Sequence, residues 1–455
     1  MNTTTTINPT TEEEIKSYDR ISEKIAKEKV AKANEAYKSW KKTSFSERSK
    51  LMLKLATIFE ENKEEYAQLA TLEMGKVISQ SRKEIEKCAL ICRYYANNIE
   101  ELLADEVIET EASKSYVTFQ PLGVTLAVMP WNFPFYQVIR FAAPAVMTGN
   151  TGVLKHASNV QGCAFALEDA FKKAGFPEGV FTNLNVSSDH IKAIIEDKNI
   201  IAVTLTGSEP AGRSVAKIAG ENLKKTVLEL GGSDAYIILD DADLEKATDL
   251  ATFGRLQNNG QTCIAAKRFI VLEEIYDDFI KLFSKKMEEA KMGIPTDEDV
   301  YYGPMARVDL RNEIHEQVEK TIKQGGKLII GGKIPDRKGA YYPATILADL
   351  KPGMTAFDEE LFGPVASVIK AKNEEEAIEL ANNSTFGLGS GVITGNSDRG
   401  EKVALQLEAG NSFVNKLVVS DPRMPFGGIK NSGYGRELSN YGIREFVNTK
   451  SIWID

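Results

Sequence analysis

The stretch Ile201-Ala202-Val203-Thr204-Leu205-Thr206-Gly207-Ser208-Glu209-Pro210-Ala211-Gly212 decides the fold. Its first half is a short apolar run that reads as a strand, and Thr206-Gly207-Ser208 reads as a small-residue turn into a helix. A turn of that kind at the carboxyl end of a parallel strand is where open α/β sheets bind dinucleotides, with helix amides facing the ligand. No G-x-G-x-x-G is present, only Gly207 and Gly212. An ordinary strand-to-helix turn therefore stands as the alternative.

Working outward, residues 151–230 alternate short apolar runs with helical ones. Gly152-Val153-Leu154-Lys155 precedes a helix near 162–174, Val180-Phe181-Thr182-Asn183-Leu184 precedes one near 189–196, and Thr226-Val227-Leu228-Glu229-Leu230 closes the series. That alternation predicts a parallel sheet with helices on both faces. Upstream, residues 24–104 are rich in Ala, Lys and Glu with apolar residues at helical intervals, which predicts long amphipathic helices whose Lys and Glu form a solvated face. Tyr116-Val117-Thr118-Phe119-Gln120 and Val124-Thr125-Leu126-Ala127-Val128 read as strands on either side of a hairpin-like break at Pro121-Leu122-Gly123. Downstream, strands near 268–272, 327–330 and 411–415, with helices near 275–292 and 308–324, predict a second α/β lobe. A chain of 455 residues is too long for one ordinary core, so two or three lobes are expected.

The bulk numbers remove several functions. A net charge of −9 argues against nucleic-acid binding, which needs a concentrated basic surface. No apolar run is long enough to span a bilayer, so no membrane partner is expected. Four cysteines give no disulfide framework and the first residues lack the regions of a signal peptide, which makes a reducing cytoplasm the default. The three histidines are scattered, and no metal site is expected.

Three residues carry candidate chemistry. Cys263, in Asn259-Gly260-Gln261-Thr262-Cys263, is either a small buried hydrophobe or a nucleophile. Glu229 sits among apolar residues, where a carboxylate is either ion-paired or held protonated, and a raised pKa suits a general base. Asn132, in Met129-Pro130-Trp131-Asn132-Phe133-Pro134-Phe135, lies in a buried turn or on a rigid mount for its amide. A thiol, a carboxylate, an amide donor and a dinucleotide turn are the components of aldehyde oxidation: thiolate attack, an oxyanion held by amide donors, hydride loss to a nicotinamide, and hydrolysis of the thioester.

Six motifs in this order resemble those of the aldehyde dehydrogenase superfamily over essentially the whole chain. They are Pro130-Trp131-Asn132-Phe133-Pro134, Leu205-Thr206-Gly207-Ser208, Leu228-Glu229-Leu230-Gly231-Gly232, Gly260-Gln261-Thr262-Cys263, Glu359-Glu360-Leu361-Phe362-Gly363-Pro364-Val365 and Pro425-Phe426-Gly427-Gly428. The resemblance implies an atypical Rossmann cofactor domain over 1–102 and 123–231, an α/β catalytic domain over 232–444, and a β oligomerisation element over 103–122 and 445–455. It implies Cys263 as nucleophile, Glu229 as general base and Asn132 as oxyanion donor. Trp131, Lys155, Ser158, Gly207, Ser208, Glu360 and Phe362 fall where the family holds its cofactor. Ser158 stands where NAD-preferring members often carry a glutamate; without that carboxylate Lys155 is free to pair with a 2′-phosphate, so NADP is expected over NAD.

Within the superfamily, Ser420-Asp421-Pro422-Arg423 and the run from Gly428 to Ser439 are similar to bacterial-type succinate-semialdehyde dehydrogenases. Arg140, with Ser420 and Phe426, then falls where the substrate and its distal carboxylate are held; a structural ion pair is the alternative for Arg140. Several such enzymes place a second arginine six residues before the cysteine, where this chain has Gln257, so a looser site open to other aldehydes is also compatible. Ala265 stands where some relatives have a second cysteine. The cysteine loop, the Asn132 dipole and a bound cationic nicotinamide are expected to favour the thiolate. A homodimer or homotetramer is expected, because the oligomerisation strands would be exposed edges in a monomer. A CoA-acylating enzyme, a broad aliphatic aldehyde dehydrogenase and a non-catalytic member of the fold remain open at this stage.

Overall fold

A computed structural model describes residues 3–455. Two twisted sheets organise it, each buried on both faces. The first has strand order Gly433–Tyr434, Lys225–Glu229, Ile200–Thr206, Val124–Met129, Thr151–His156, Phe181–Asn183, parallel except for the two-residue strand at one edge. In chain order the sheet grows from Val124–Met129 in one direction and then restarts on its other side at Ile200–Thr206. The crevice between the carboxyl ends of those two strands is the topological switch point, and the Thr206-Gly207-Ser208 turn sits on its lip. Both faces are apolar, with Ala127 and Leu154 packed into one core and Leu126 and Val153 into another.

The second sheet has order Lys327–Ile330, Thr345–Ala348, Val365–Ala371, Arg268–Leu272, Ala235–Ile238, Gly389–Ile393, Asn411–Val414, antiparallel only between the first two. Successive residues of its central strand face opposite cores: Ala235 and Ile237 one way, Tyr236 and Ile238 the other. It offers its amino edge to the first sheet. Leu230 and Gly231 lead into Ala235–Ile238, Cys263 into Arg268–Leu272, and Glu360 and Phe362 into Val365–Ala371.

Two expectations are corrected here. The runs around Pro121-Leu122-Gly123 are not a hairpin. Lys114–Pro121 pairs with Val447–Ile454 and with Glu106–Val107, whereas Val124–Met129 joins the first sheet. Asn150 makes this passage possible, its Oδ1 accepting from Leu122 N at 2.8 Å and Gly123 N at 2.9 Å, so the chain turns out of one sheet into the other without orphaned donors. The open edge of the three-stranded sheet is Val447–Ile454, which carries the half-exposed Trp453 and Ile454.

The second correction concerns the helices Glu23–Trp40, Phe45–Glu61, Lys63–Met74 and Ile78–Leu102. Their charges are not all solvated. Glu73, Lys76 and Glu84 are buried, each with a partner that removes the cost of desolvation. Glu73 accepts from Gly162 N and Cys163 N at the start of Gln161–Ala174, while Lys76 and Glu84 pair with each other. Among the described residues no helix is long and apolar enough to cross a membrane.

Candidate active site

Cys263 lies where two clefts meet. The first, about 240 Å³, sits on the switch point and is lined by Trp131, Asn132, Thr206, Gly207, Ser208, Gly231, Cys263, Glu360 and Phe362. The second, about 180 Å³, is lined by faces of three helices and by Cys263, Phe133, Tyr136, Arg140, Gln257, Ser420 and Phe426. The thiol is therefore reachable from both sides, although it is only partly exposed.

The loop that carries it is held in an uncommon backbone conformation. Asn258, Asn259 and Gly260 are successively left-handed, with φ of 53°, 57° and 77°. Asparagine tolerates this region better than other side-chain-bearing residues, and Gly260 is required for a second reason: a Cβ there would stand 2.3 Å from Gly363 C and O. The asparagine side chains fix the loop. Asn259 Nδ2 donates to Gly75 O and Pro304 O, at 2.8 and 2.7 Å. Asn258 Nδ2 donates to Asn132 O and Gln261 O, at 2.8 and 3.0 Å. Lys267 Nζ donates to Thr262 O and Cys263 O and lies 3.2 Å from Glu360 Oε1. Asn132 is thereby tied to the cysteine loop, its own Nδ2 donating to Gln261 O at 3.0 Å with one hydrogen to spare. Among the described residues the Cys263 N–H has no acceptor.

The expected activation of the thiol includes a bound nicotinamide; without one, the surroundings of the sulfur favour the thiol over the thiolate. Burial pushes the Cys263 thiol up to about 11; Arg140 and Lys267 oppose this, and Glu360 and Asp234 add to it. Desolvation of the thiolate outweighs the loop's donors, so without cofactor the sulfur is protonated at neutral pH.

The surroundings of Glu229 likewise favour its protonated form. Burial, then the charge of Glu437, holds its carboxyl well above the usual range against Arg140 and Arg436, and neither oxygen has a hydrogen-bond partner among the described residues. Of the two readings of Glu229, the unpaired one holds. Its carboxyl lines neither cleft and is turned toward Gly427, where an added Cβ would meet its Oε1 at 2.6 Å.

Arg140 makes the structural ion pair of its alternative reading and also borders a cleft. Its Nε lies 2.5 Å from Glu437 Oε2, an ion pair with both side chains buried and without the alignment of a hydrogen bond. It also lines the second cleft, its guanidinium carbon 4.8 Å from the Phe426 ring centroid, and its Nη2 is unpartnered. Ser420 and Phe426 line the same cleft. Gln257 lines it too, whereas Arg255 is turned away and donates to Gly260 O at 2.5 Å.

The cofactor residues fit a dinucleotide. Gly207 and Ser208 begin the helix Glu209–Glu221, whose Ser208 N-cap makes no side-chain hydrogen bond and leaves the first amides open. Thr206 Oγ1 is buried beside them without a partner. Gly212 lets this helix lie against its strand, since a Cβ would meet Leu230 at 2.6 Å. Trp131 and Phe362 meet edge to face, centroids 5.7 Å apart. Glu360 holds Gly232 N with one oxygen at 3.1 Å. Lys155, at the carboxyl end of Thr151–His156, is largely buried with no carboxylate within 4.0 Å among the described residues, and Ser158 lies exposed just beyond it. Burial and, secondarily, Arg20 lower the Lys155 ammonium pKa. A desolvated cation without a counter-ion suits an incoming phosphate.

Residues 1–452 match the sequence profile of the aldehyde dehydrogenase family, and the chain belongs to that family. Among its relatives is the probable succinate-semialdehyde dehydrogenase [NADP(+)] of Synechocystis sp., 49% identical over 449 residues that cover 99% of both chains. Succinate-semialdehyde dehydrogenase [NADP(+)] 1 of Mycobacterium tuberculosis is 49% identical over 452 residues, again 99% of each. The crystal structure of succinic semialdehyde dehydrogenase from Streptococcus pyogenes in complex with NADP+ superimposes with a TM-score of 0.97 at 40% identity, covering 99% of both chains.

Proposed function

We propose that this protein oxidises succinic semialdehyde to succinate with NADP+ as acceptor. The observation that carries the reading is the position of Cys263 at the junction of a cleft on the dinucleotide switch point and a cleft containing the Arg140 guanidinium. The names of the relatives at 49% identity support it.

In this reading Cys263 loses its thiol proton to solvent water, the thiolate attacks the aldehyde carbon, and the second Asn132 Nδ2 hydrogen with the free Cys263 N–H takes up the developing oxyanion charge. NADP+, when bound, would supply the hydride acceptor; Trp131, Gly207, Ser208, Glu360 and Phe362 would hold it, and Lys155 with Ser158 would receive its 2′-phosphate. Loss of hydride from the thiohemiacetal carbon to that acceptor would leave a thioester on Cys263. Glu229, swung from Gly427 toward the cleft and deprotonated, takes a proton from the water that hydrolyses it. Burial raises its pKa, which makes it a stronger base than an ordinary carboxylate. Arg140 and Ser420 receive the distal carboxylate, and Phe426 walls the chain between.

The division into a cofactor domain over 1–102 and 123–231, a catalytic domain over 232–444 and an oligomerisation element over 103–122 and 445–455 belongs to the same reading. So do a cytoplasmic location, in keeping with four free thiols, and a homodimer or homotetramer built on the open Val447–Ile454 edge.

The test is NADPH formation by wild type, Cys263→Ala and Glu229→Gln with succinic semialdehyde, with the product identified. Free succinate without added CoA is expected from wild type, none from Cys263→Ala, and from Glu229→Gln a single burst of NADPH followed by slow turnover. A product that requires CoA, or turnover by Cys263→Ala, contradicts it.

A further inference from the structure

The second cleft contains a cation that the reading above leaves unused. One face of Ile78–Leu102, formed by Gln80, Glu84 and Lys87, stands across the cleft from the face of Tyr136–Met147 that carries Tyr136, Gln137 and Arg140. Lys87 Nζ donates to Ser420 Oγ at 2.6 Å, and Ser420 Oγ is 2.8 Å from Tyr136 Oη. The ammonium also lies 4.3 Å from the Tyr136 ring centroid. Among the described residues no carboxylate comes within 4.0 Å of it.

The charges of the cleft decide what this cation is for. Arg140 is balanced by Glu437, and Glu84 by the buried Lys76. Glu229 does not line this cleft, and burial with Glu437 favours its neutral form. Once those pairs are set aside, Lys87 is the unbalanced charge on the cleft wall, apart from the exposed Lys83 at its rim. Lys87 is half-buried; a partly desolvated cation without a counter-ion is costly, and a ligand carboxylate relieves that cost. Ser420 and Tyr136 supply neutral donors beside it. Gln257, where several semialdehyde enzymes have a second arginine, lines the same cleft as a neutral amide.

We infer that Lys87 is a specificity-determining residue that takes the far carboxylate of the substrate together with Ser420 and Arg140, filling from the Ile78–Leu102 helix the place of the absent second arginine. This rests on the substrate class proposed above. It selects short aldehydes with an anionic group at the far end. The charged groups that face Lys87 are Glu84 and Lys83 on its own helix, Arg140 from Tyr136–Met147 and Asp421 beyond Ser420. Burial first, then Arg140, brings its ammonium down to about 8.

The experiment compares KM for succinic semialdehyde and for pentanal in wild type, Lys87→Met and Lys87→Arg, all shown to be folded by their thermal midpoints. Loss of a desolvated charge-assisted contact should raise KM for succinic semialdehyde about 10- to 100-fold more than KM for pentanal in Lys87→Met. Lys87→Arg should restore most of the discrimination. In wild type the ratio of the two kcat/KM values should fall as pH rises through about 8, and in Lys87→Arg this fall should be absent, because arginine stays charged. A wild type that prefers succinic semialdehyde together with a Lys87→Met variant that keeps the preference overturns the Lys87 assignment alone. A wild type with no preference overturns the substrate class and this assignment with it.

Discussion

The protonated state of Cys263 gives a prediction that is independent of the substrate. With the thiol pushed up to about 11 from an ordinary 9.0, the thiolate population at neutral pH falls roughly 100-fold. Alkylation requires the thiolate, so the cofactor-free enzyme should react with iodoacetamide at Cys263 roughly 100-fold more slowly at pH 7 than an unperturbed thiol. The sign follows from the direction of the shift: the rate should keep rising about tenfold per pH unit through pH 9 rather than levelling there. Cys88, Cys92 and Cys163 are fully buried, so peptide mass spectrometry after timed quenching reports Cys263 without interference. Glu360→Gln removes a carboxylate that raises the thiol and should accelerate alkylation; Arg140→Met removes a cation that lowers it and should slow alkylation further. A pH–rate curve that levels off below pH 8 in the absence of cofactor would refute the dominance of desolvation.

Two further outcomes follow from the geometry. Glu84 Oε1 caps the start of Tyr136–Met147 by accepting from Phe135 N and Tyr136 N at 2.8 and 2.9 Å, while its other oxygen pairs with buried Lys76. Glu84→Gln strands the Lys76 ammonium and should cost about 3–5 kcal/mol in chemical denaturation, whereas Lys76→Met/Glu84→Gln should be more stable than Glu84→Gln alone; equal stability of the two would show that the pair does not act as a unit. Ser158→Glu sets a carboxylate beside Lys155 and should raise KM for NADP+ about tenfold or more while improving kcat/KM with NAD+; unchanged cofactor kinetics would remove Lys155 and Ser158 from the 2′-phosphate site.

What the sequence made legible was local. The run 201–212 specifies a strand, turn and helix by its own apolar period and small residues, and the structure places that turn on the switch point. The misread hairpin at 121–123 shows the limit. Pro121-Leu122-Gly123 has turn composition, but the partner of Lys114–Pro121 is Val447–Ile454, more than 300 residues away, and backbone pairing leaves no mark in composition. Lys76, Glu84 and Lys87 read as part of a solvated Lys/Glu face because helical spacing shows which residues share a face, not what that face packs against. Glu437 is illegible in the sequence for the same reason: its partner Arg140 and its neighbour Glu229 come from distant segments. Asn258 and Asn259 carry a signal that the reading above does not use: adjacent asparagines before a glycine favour left-handed backbone, as the mount of the nucleophile adopts.

The central claim is that one thiol serves a dinucleotide cleft on one side and a carboxylate-binding cleft on the other. Its most direct test is kcat/KM for succinic semialdehyde and for pentanal, each with NADP+ and with NAD+. The account predicts the highest value for succinic semialdehyde with NADP+, by at least about tenfold over either single change. Equal values for the two aldehydes, or a higher value with NAD+, would contradict it.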